Sequence, residues 1–308
     1  MKVPQPSGAD GPGTGRSGLL RGGRLRRFRS ALLAWYRPRA RELRIRTTSD
    51  PWALLVAEVM AQQTQIARVD EAWVRFMARY PTPAALAAAS TAQVLRDWAG
   101  LGYNRRALNL RRAARAIVEH HGGAVPEQVE ALLGLPGVGP YTARAVAATA
   151  FGQRVAPVDT NVRRVVTRVL GSAMTAPALQ AAADALVPPA DPTTWAHASM
   201  DLGATVCVAR APRCHECPVR RWCASAGRVE VRRDRSGAAV PFELTNRWLR
   251  GRIVARLRVA DDGSWQRLPH AIGHHDGAAV EAAVAGLERD GLLERRPDGA
   301  VRLPSGDT

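Results

Sequence analysis

The chain's four cysteines all lie in one short stretch, CVARAPRCHECPVRRWC, as Cys207-x6-Cys214-x2-Cys217-x5-Cys223. In a chain whose N-terminal stretch does not read as a secretory signal, thiolates this closely spaced serve more often as metal ligands than as disulfide partners. Four soft sulfur ligands suit a structural Zn²⁺ or an iron–sulfur cluster. Spacing alone leaves both open, with disulfide pairing as the remaining alternative.

Upstream, Leu135-Pro136-Gly137-Val138-Gly139-Pro140-Tyr141-Thr142-Ala143 lies between two apolar runs of helical spacing. Gly137 and Gly139 permit a tight turn whose N–H groups point outward, and the next helix begins there with its positive end. Such a turn can grip a phosphate; otherwise it is a plain connection between helices. Eighteen residues past Tyr141, Asp159 opens another helix, in Val158-Asp159-Thr160-Asn161-Val162-Arg163-Arg164-Val165.

Helix, glycine turn, helix, aspartate and then four cysteines at this spacing resembles the helix-hairpin-helix DNA glycosylases of the endonuclease III and MutY group, over about residues 31 to 226. The resemblance implies that Cys207, Cys214, Cys217 and Cys223 hold a [4Fe–4S] cluster, and it makes zinc the lesser reading. Within the group, Ala57-Glu58-Val59-Met60-Ala61-Gln62-Gln63-Thr64-Gln65 resembles the EVMxQQTQ segment of the MutY branch. Gly100-Leu101-Gly102-Tyr103 resembles its GLGY wedge, and Leu32-Leu33-Ala34-Trp35-Tyr36 and Met200-Asp201-Leu202-Gly203-Ala204 also match. Relatives that also cut the strand carry a lysine after the proline of the turn, to form a Schiff base with the sugar. Here Tyr141 stands at that position, and tyrosine cannot form the imine. The resemblance therefore implies a monofunctional hydrolase, an adenine DNA N-glycosylase of base excision repair acting on adenine mispaired with 8-oxoguanine or guanine. Two features depart from the branch. Leu43-Arg44-Ile45-Arg46 replaces its Leu-Pro-Trp-Arg, which removes an aromatic from the expected adenine pocket, and no strand-rich Nudix-like domain is apparent after the cysteines.

Breaking an N-glycosidic bond leaves positive charge developing on the deoxyribose and negative charge on the departing base. One group must protonate the base and another must stabilise the sugar. Glu58 stands mid-helix among Leu54, Leu55, Val59 and Met60, after an Asp50-Pro51 start that reads as cap and first turn. An apolar wall favours the protonated carboxyl that a general acid needs. At Asp159 the N–H groups and dipole of a helix start favour negative charge. The expectation is Glu58 as acid toward N7 of adenine and then as base for water, and Asp159 as stabiliser of the oxocarbenium ion or transient nucleophile. Asn161 resembles the family's asparagine beside that aspartate, and Tyr141 completes the catalytic set. Taken alone, such a glutamate is often a rim residue and such an aspartate only a cap. Tyr103 is expected to wedge into the base stack while adenine is flipped out, with Gln62 and Gln63 filling or reading the gap. Gly137, Gly139 and Arg46 are the remaining expected DNA contacts.

Lys+Arg 44 against Asp+Glu 27 gives a formal net charge of +17, and Lys2 is the single lysine. A field of this sign favours a polyanion, although arginine-rich, alanine-rich usage also follows from GC-rich coding. The 308 residues, 46% hydrophobic, suffice for a core and for two or three domains. No run of eighteen apolar residues exists to span a membrane. Residues 1–29 read as a disordered basic arm, and not as a signal peptide, because their only apolar pair is Leu19-Leu20. The reading is a mainly α protein with the two-lobed helix-hairpin-helix glycosylase fold. Residues 51–158 make a helical domain with the hairpin; residues 30–50 and 159–206 make a lobe that carries the cluster loop at 207–226, with DNA between the two. A linker at 227–244 leads to a small winged-helix-like module at 245–308, built from helices at Thr245–Val259 and Ala278–Asp290 and a β-hairpin about Pro297-Asp298-Gly299. That module could touch DNA, dock a partner or cap the fold. A monomer acting on double-stranded DNA in the cytoplasm, at the nucleoid, is expected. Two functions compete with adenine removal: a thymine glycosylase for G·T mismatches, and a non-catalytic Fe–S protein that binds DNA. Glu58 favours adenine, because protonating a purine N7 needs an acid.

Overall fold

The computed structural model describes residues 20–228, 240–260 and 263–305. Along the chain the helices are α1 (Gly22–Tyr36), α2 (Pro51–Ala61), α3 (Ile66–Arg79), α4 (Pro83–Ala88), α5 (Thr91–Asp97), α6 (Arg105–His120), α7 (Val129–Leu133), α8 (Pro140–Ala150), α9 (Thr160–Leu170), α10 (Ala176–Leu186), α11 (Pro192–Thr205), α12 (Asn246–Arg258) and α13 (Gly277–Arg289). Two short antiparallel strands follow, β1 (Glu294–Arg295) and β2 (Val301–Arg302), in register Glu294 with Arg302 and Arg295 with Val301. The starts are written in the sequence. Asp50, Thr82, Ser90, Asp159, Asp191, Thr245 and Asp276 each accept a first-turn N–H, which satisfies a donor the helix itself cannot. No helix among the described residues is long and apolar enough to cross a membrane.

The chain divides into two compact units, Met1–Ala40 with Val158–Arg232 and Arg41–Pro157 with Arg233–Thr308. In the first, Phe28 of α1 packs 5.9 Å from Trp195 and edge-on to Trp222 at 6.0 Å, ring centre to ring centre. This aromatic contact, with Leu32 and Tyr36 repeating at helical spacing on the same buried face, carries α1 back to Gly22. The stretch expected to be a disordered arm to residue 29 is thus helical from residue 22, while residues 1–19 lie outside the described ones.

The second unit has one continuous core. Trp52, Leu55, Val59 and Met60 of α2 join Phe76, Leu95, Trp98, Leu110, Ile117 and Val146, and the same cluster takes in Leu249, Ile253, Val254, Leu257, Val284, Leu287, Leu293 and Val301. Helix, helix and hairpin occur where the sequence placed them, but their apolar residues belong to the core of the helical unit and not to a separate one. Arg258 fixes this attachment: its Nε donates to the Leu95 carbonyl at 2.7 Å and its Nη2 to Asn104 Oδ1 at 2.8 Å.

Candidate functional site

Glu58 lies half-buried on α2 beside the fully buried Leu54, Leu55, Val59 and Met60. The helix then ends in a loop, Gln62 to Gln65, whose shape depends on Arg106 at the start of α6. Its Nη1 donates to the carbonyls of Val59, Met60 and Gln62 at 3.0, 2.7 and 2.6 Å. Its Nη2 donates to Thr64 Oγ1 and Leu101 O at 3.0 Å and to Gly102 O at 3.2 Å. One buried guanidinium therefore satisfies the open carbonyls at the end of α2 and joins them to the Gly100–Tyr103 loop. Burial pushes its pKa down to about 10, which leaves it charged at neutral pH. Gln63 and Tyr103, two of the three side chains expected at the flipped base's gap with Gln62, sit in these loops with φ of 55° and 44°. A left-handed backbone at residues other than glycine is strained, and here a hydrogen-bonded frame holds it. The Tyr103 ring lies 5.4 Å from the Arg106 guanidinium, and the ring is 39% exposed.

Gln62 reaches the glycine turn, its Nε2 donating to the Gly137 carbonyl and to Thr142 Oγ1, both at 3.3 Å. Gly137 has φ of 79°, and a Cβ there would stand 2.7 Å from Cβ of Asn109, so both conformation and the approach of α6 require glycine. At Gly139 a Cβ would meet nothing within 4 Å, which leaves the approach to the turn clear. The N-cap of α8 is Gly139, which has no side chain to cap the helix start. Pro140 and Tyr141 form the first turn of that helix, with Tyr141 half-buried. Arg46 lies half-buried in a short 3-10 turn, Arg44–Arg46, which Asp70 holds through Arg44 at 3.3 Å and the Ile45 N–H at 3.2 Å.

In the other unit, Asp159 caps α9. Its Oδ1 accepts from the Val162 N–H at 2.7 Å and its Oδ2 from Asn161 Nδ2 at 2.8 Å. Asn161 Oδ1 in turn accepts from Arg164 at 2.7 Å, and that guanidinium also donates to the carbonyls of Gly203 and Cys207, each at 2.6 Å. The carboxylate is thus oriented through two side chains from the first cysteine's own backbone. A Cβ on Gly203 would stand 2.7 Å from Cβ of Asn161, so α9 and α11 approach at a point that only glycine allows.

All four cysteines are free and line one cavity together with Arg168, Arg213 and Arg220, around about 330 Å³ of space that opens to solvent. Arg168 donates to Cys207 Sγ at 3.3 Å and to the Val208 and Ala209 carbonyls at 2.8 and 3.1 Å. Of the loop's own arginines, Arg213 pairs with Glu216 at 3.4 Å and Arg221 lies over the Trp222 ring at 3.9 Å. No three His, Cys, Asp or Glu side chains among the described residues are arranged to hold one metal ion. Four thiols lining one cavity form a donor set that suits either a Zn²⁺ ion or an iron–sulfur cluster.

Three arginines were missed by the sequence reading. Arg106 stands four residues before Leu110 at the head of the buried stripe of α6, and a charge on such a stripe is a signal of a buried anchor. Arg164 and Arg168 are one turn apart on α9, but in a chain so rich in arginine their spacing marks nothing.

The profile of HhH-GPD superfamily base excision DNA repair proteins matches residues 56–189. An adenine DNA glycosylase from Mycobacterium tuberculosis (strain CDC 1551 / Oshkosh) is 43% identical over 283 residues, which span 89% of this chain and 92% of that protein. Among solved structures, a thermostable thymine-DNA glycosylase superposes with TM-score 0.62 at 30% identity, over 65% of this chain and 95% of its own. Endonuclease III in a non-covalent DNA complex gives TM-score 0.57 at 26% identity, over 66% of this chain and 96% of its own.

Proposed function

As the chain belongs to the HhH-GPD superfamily of base excision DNA repair proteins, in the branch of the adenine DNA glycosylases, we propose that it removes adenine mispaired with 8-oxoguanine or guanine from double-stranded DNA. The observation that carries this reading is the match to an adenine DNA glycosylase along 89% of the chain, with Glu58 standing on the apolar helix α2. Glu58 donates a proton to N7 as the bond to the sugar lengthens, so that the base departs neutral; its carboxylate then takes a proton from the attacking water. Asp159 supplies the negative charge that stabilises the oxocarbenium ion, and Asn161 and the Val162 N–H hold one oxygen each. Tyr141 offers no amine to the resulting abasic sugar, so the strand stays whole.

Binding follows from the turn at Gly137 and Gly139, where a helix start without an N-cap side chain suits a phosphate, and from Gln63 and Tyr103 at the neighbouring loops. Cys207, Cys214, Cys217 and Cys223 are the ligands of a [4Fe–4S] cluster, a reading supported by the one cavity that all four line. When bound, that cluster supplies iron–thiolate bonds that fix the segment from which Arg164 orients Asn161 and Asp159. The enzyme works as a monomer in the cytoplasm, at the nucleoid that holds its substrate.

A thymine glycosylase is the second reading, supported by the likeness to the thermostable thymine-DNA glycosylase. Glu58 weighs against it, since thymine has no purine N7 to protonate. Excision from labelled duplexes carrying A·8-oxoguanine, A·G, A·C and G·T separates the two: cleavage at adenine opposite 8-oxoguanine and guanine is expected, and excision confined to G·T would reject adenine as the substrate.

A further inference from the structure

The groove beside Tyr103 has a second wall that the chemistry above does not use. One wall is the Gln62–Gln65 loop with Gly100 to Arg106; the other is Phe242 with Asn246, Arg247, Arg250 and Gly251 of α12, and both belong to the same compact unit. The groove holds about 870 Å³ and opens to solvent. Arg68, Arg105, Arg106, Arg247 and Arg250 line it, and no carboxylate does among the described residues. Asp290, outside that lining, pairs with two of them, Arg105 at 3.5 Å and Arg250.

Arg247 ties the walls together. It donates to the Tyr103 hydroxyl, and its guanidinium lies 5.1 Å from the Tyr103 ring and 5.0 Å from that of Phe242, which is 50% exposed. The amides of Gln62, Gln63, Gln65, Asn104 and Asn246 also line the groove. Guanidiniums for phosphate, amides for base edges and open rings for base faces, without a carboxylate among them, match one kind of ligand: an unstacked nucleotide of a polyanionic strand.

We propose that Phe242, Asn246 and Arg247 form the second wall of a nucleotide site, which takes one unstacked nucleotide of the DNA substrate against Tyr103. The inference rests on the DNA-repair reading and deepens it: of the roles open to the C-terminal segment, it selects contact with DNA.

The test uses a duplex with a tetrahydrofuran abasic analogue opposite guanine, which holds no base to excise, and an undamaged duplex of the same sequence. Arg247→Ala should weaken binding to the abasic duplex by ~10- to 100-fold, the scale of a lost nucleotide contact, and binding to the undamaged one by less than ~3-fold. Because that change also releases Tyr103, Asn246→Asp is the second arm. An acidic residue in the first turn of α12 complements the helix dipole, so thermal stability should hold or rise while abasic-duplex affinity falls by ~10-fold or more. Affinities of both variants within about 2-fold of the parent would overturn the proposal. So would equal losses on the two duplexes, which mark a general phosphate contact. Selective losses in a protein that excises no adenine would keep the nucleotide site and reject the adenine reading alone.

Discussion

Asp159 accepts at both oxygens, and Glu58 is set beside an apolar wall. Glu58→Gln keeps shape and removes proton donation; Asp159→Asn removes the charge, keeps an oxygen for the Val162 N–H and gives up the bond from Asn161, since the new amide nitrogen only donates. Single-turnover excision should fall by at least ~10²-fold in each, the scale of general acid–base groups, while duplex affinity changes little. Near-parent rates in either variant would remove that residue from the mechanism. The sequence singles out these two positions, with Tyr141 and the cysteines, because each sits inside a motif of fixed spacing. Arg164 is not singled out, because its part depends on the Gly203 and Cys207 carbonyls, about forty residues away, meeting Asn161 at one point.

Among elements, α2, α6 and the two loops at their ends stand or fall on Arg106. Arg106→Met preserves bulk and apolar packing but leaves six acceptors from three segments without their shared donor. Unfolding by urea should show a loss of about 2–4 kcal/mol, in keeping with buried carbonyls left unpaired beside a partly compensating removal of a buried charge. A loss under about 1 kcal/mol would mean that the loops close on themselves without the arginine. The helices themselves were readable, since caps such as Asp50, Asp159 and Thr245 and the apolar spacing between them fix where each begins and which face it buries. What each face packs against was not. Leu249, Ile253 and Val254 repeat as they would in an independent module, yet they join the core of α2 to α8. In the same way Phe28 extends α1 into a glycine- and arginine-rich stretch because Trp195 and Trp222 wait for it at long range.

At the scale of the whole molecule, the two units divide the work: one carries Glu58, the glycine turn and the loops of Gln63 and Tyr103, the other Asp159 and the cysteines. Protein purified without oxygen should be brown and hold about four irons per chain, the content of one cubane cluster. Stoichiometric zinc in place of iron would contradict the cluster. The field of +17 predicts that duplex affinity falls steeply with salt, but charge alone reads no base, and the sequence carries the substrate only through its motifs. The most direct measurement of the central claim is the identity of what leaves the DNA. A duplex with adenine opposite 8-oxoguanine, incubated with the protein and analysed by mass spectrometry, should release free adenine and leave an abasic strand that breaks only on heating or in alkali. Intact adenine in that duplex, or a strand cut during incubation and trapped to the protein by borohydride, would contradict a monofunctional adenine glycosylase.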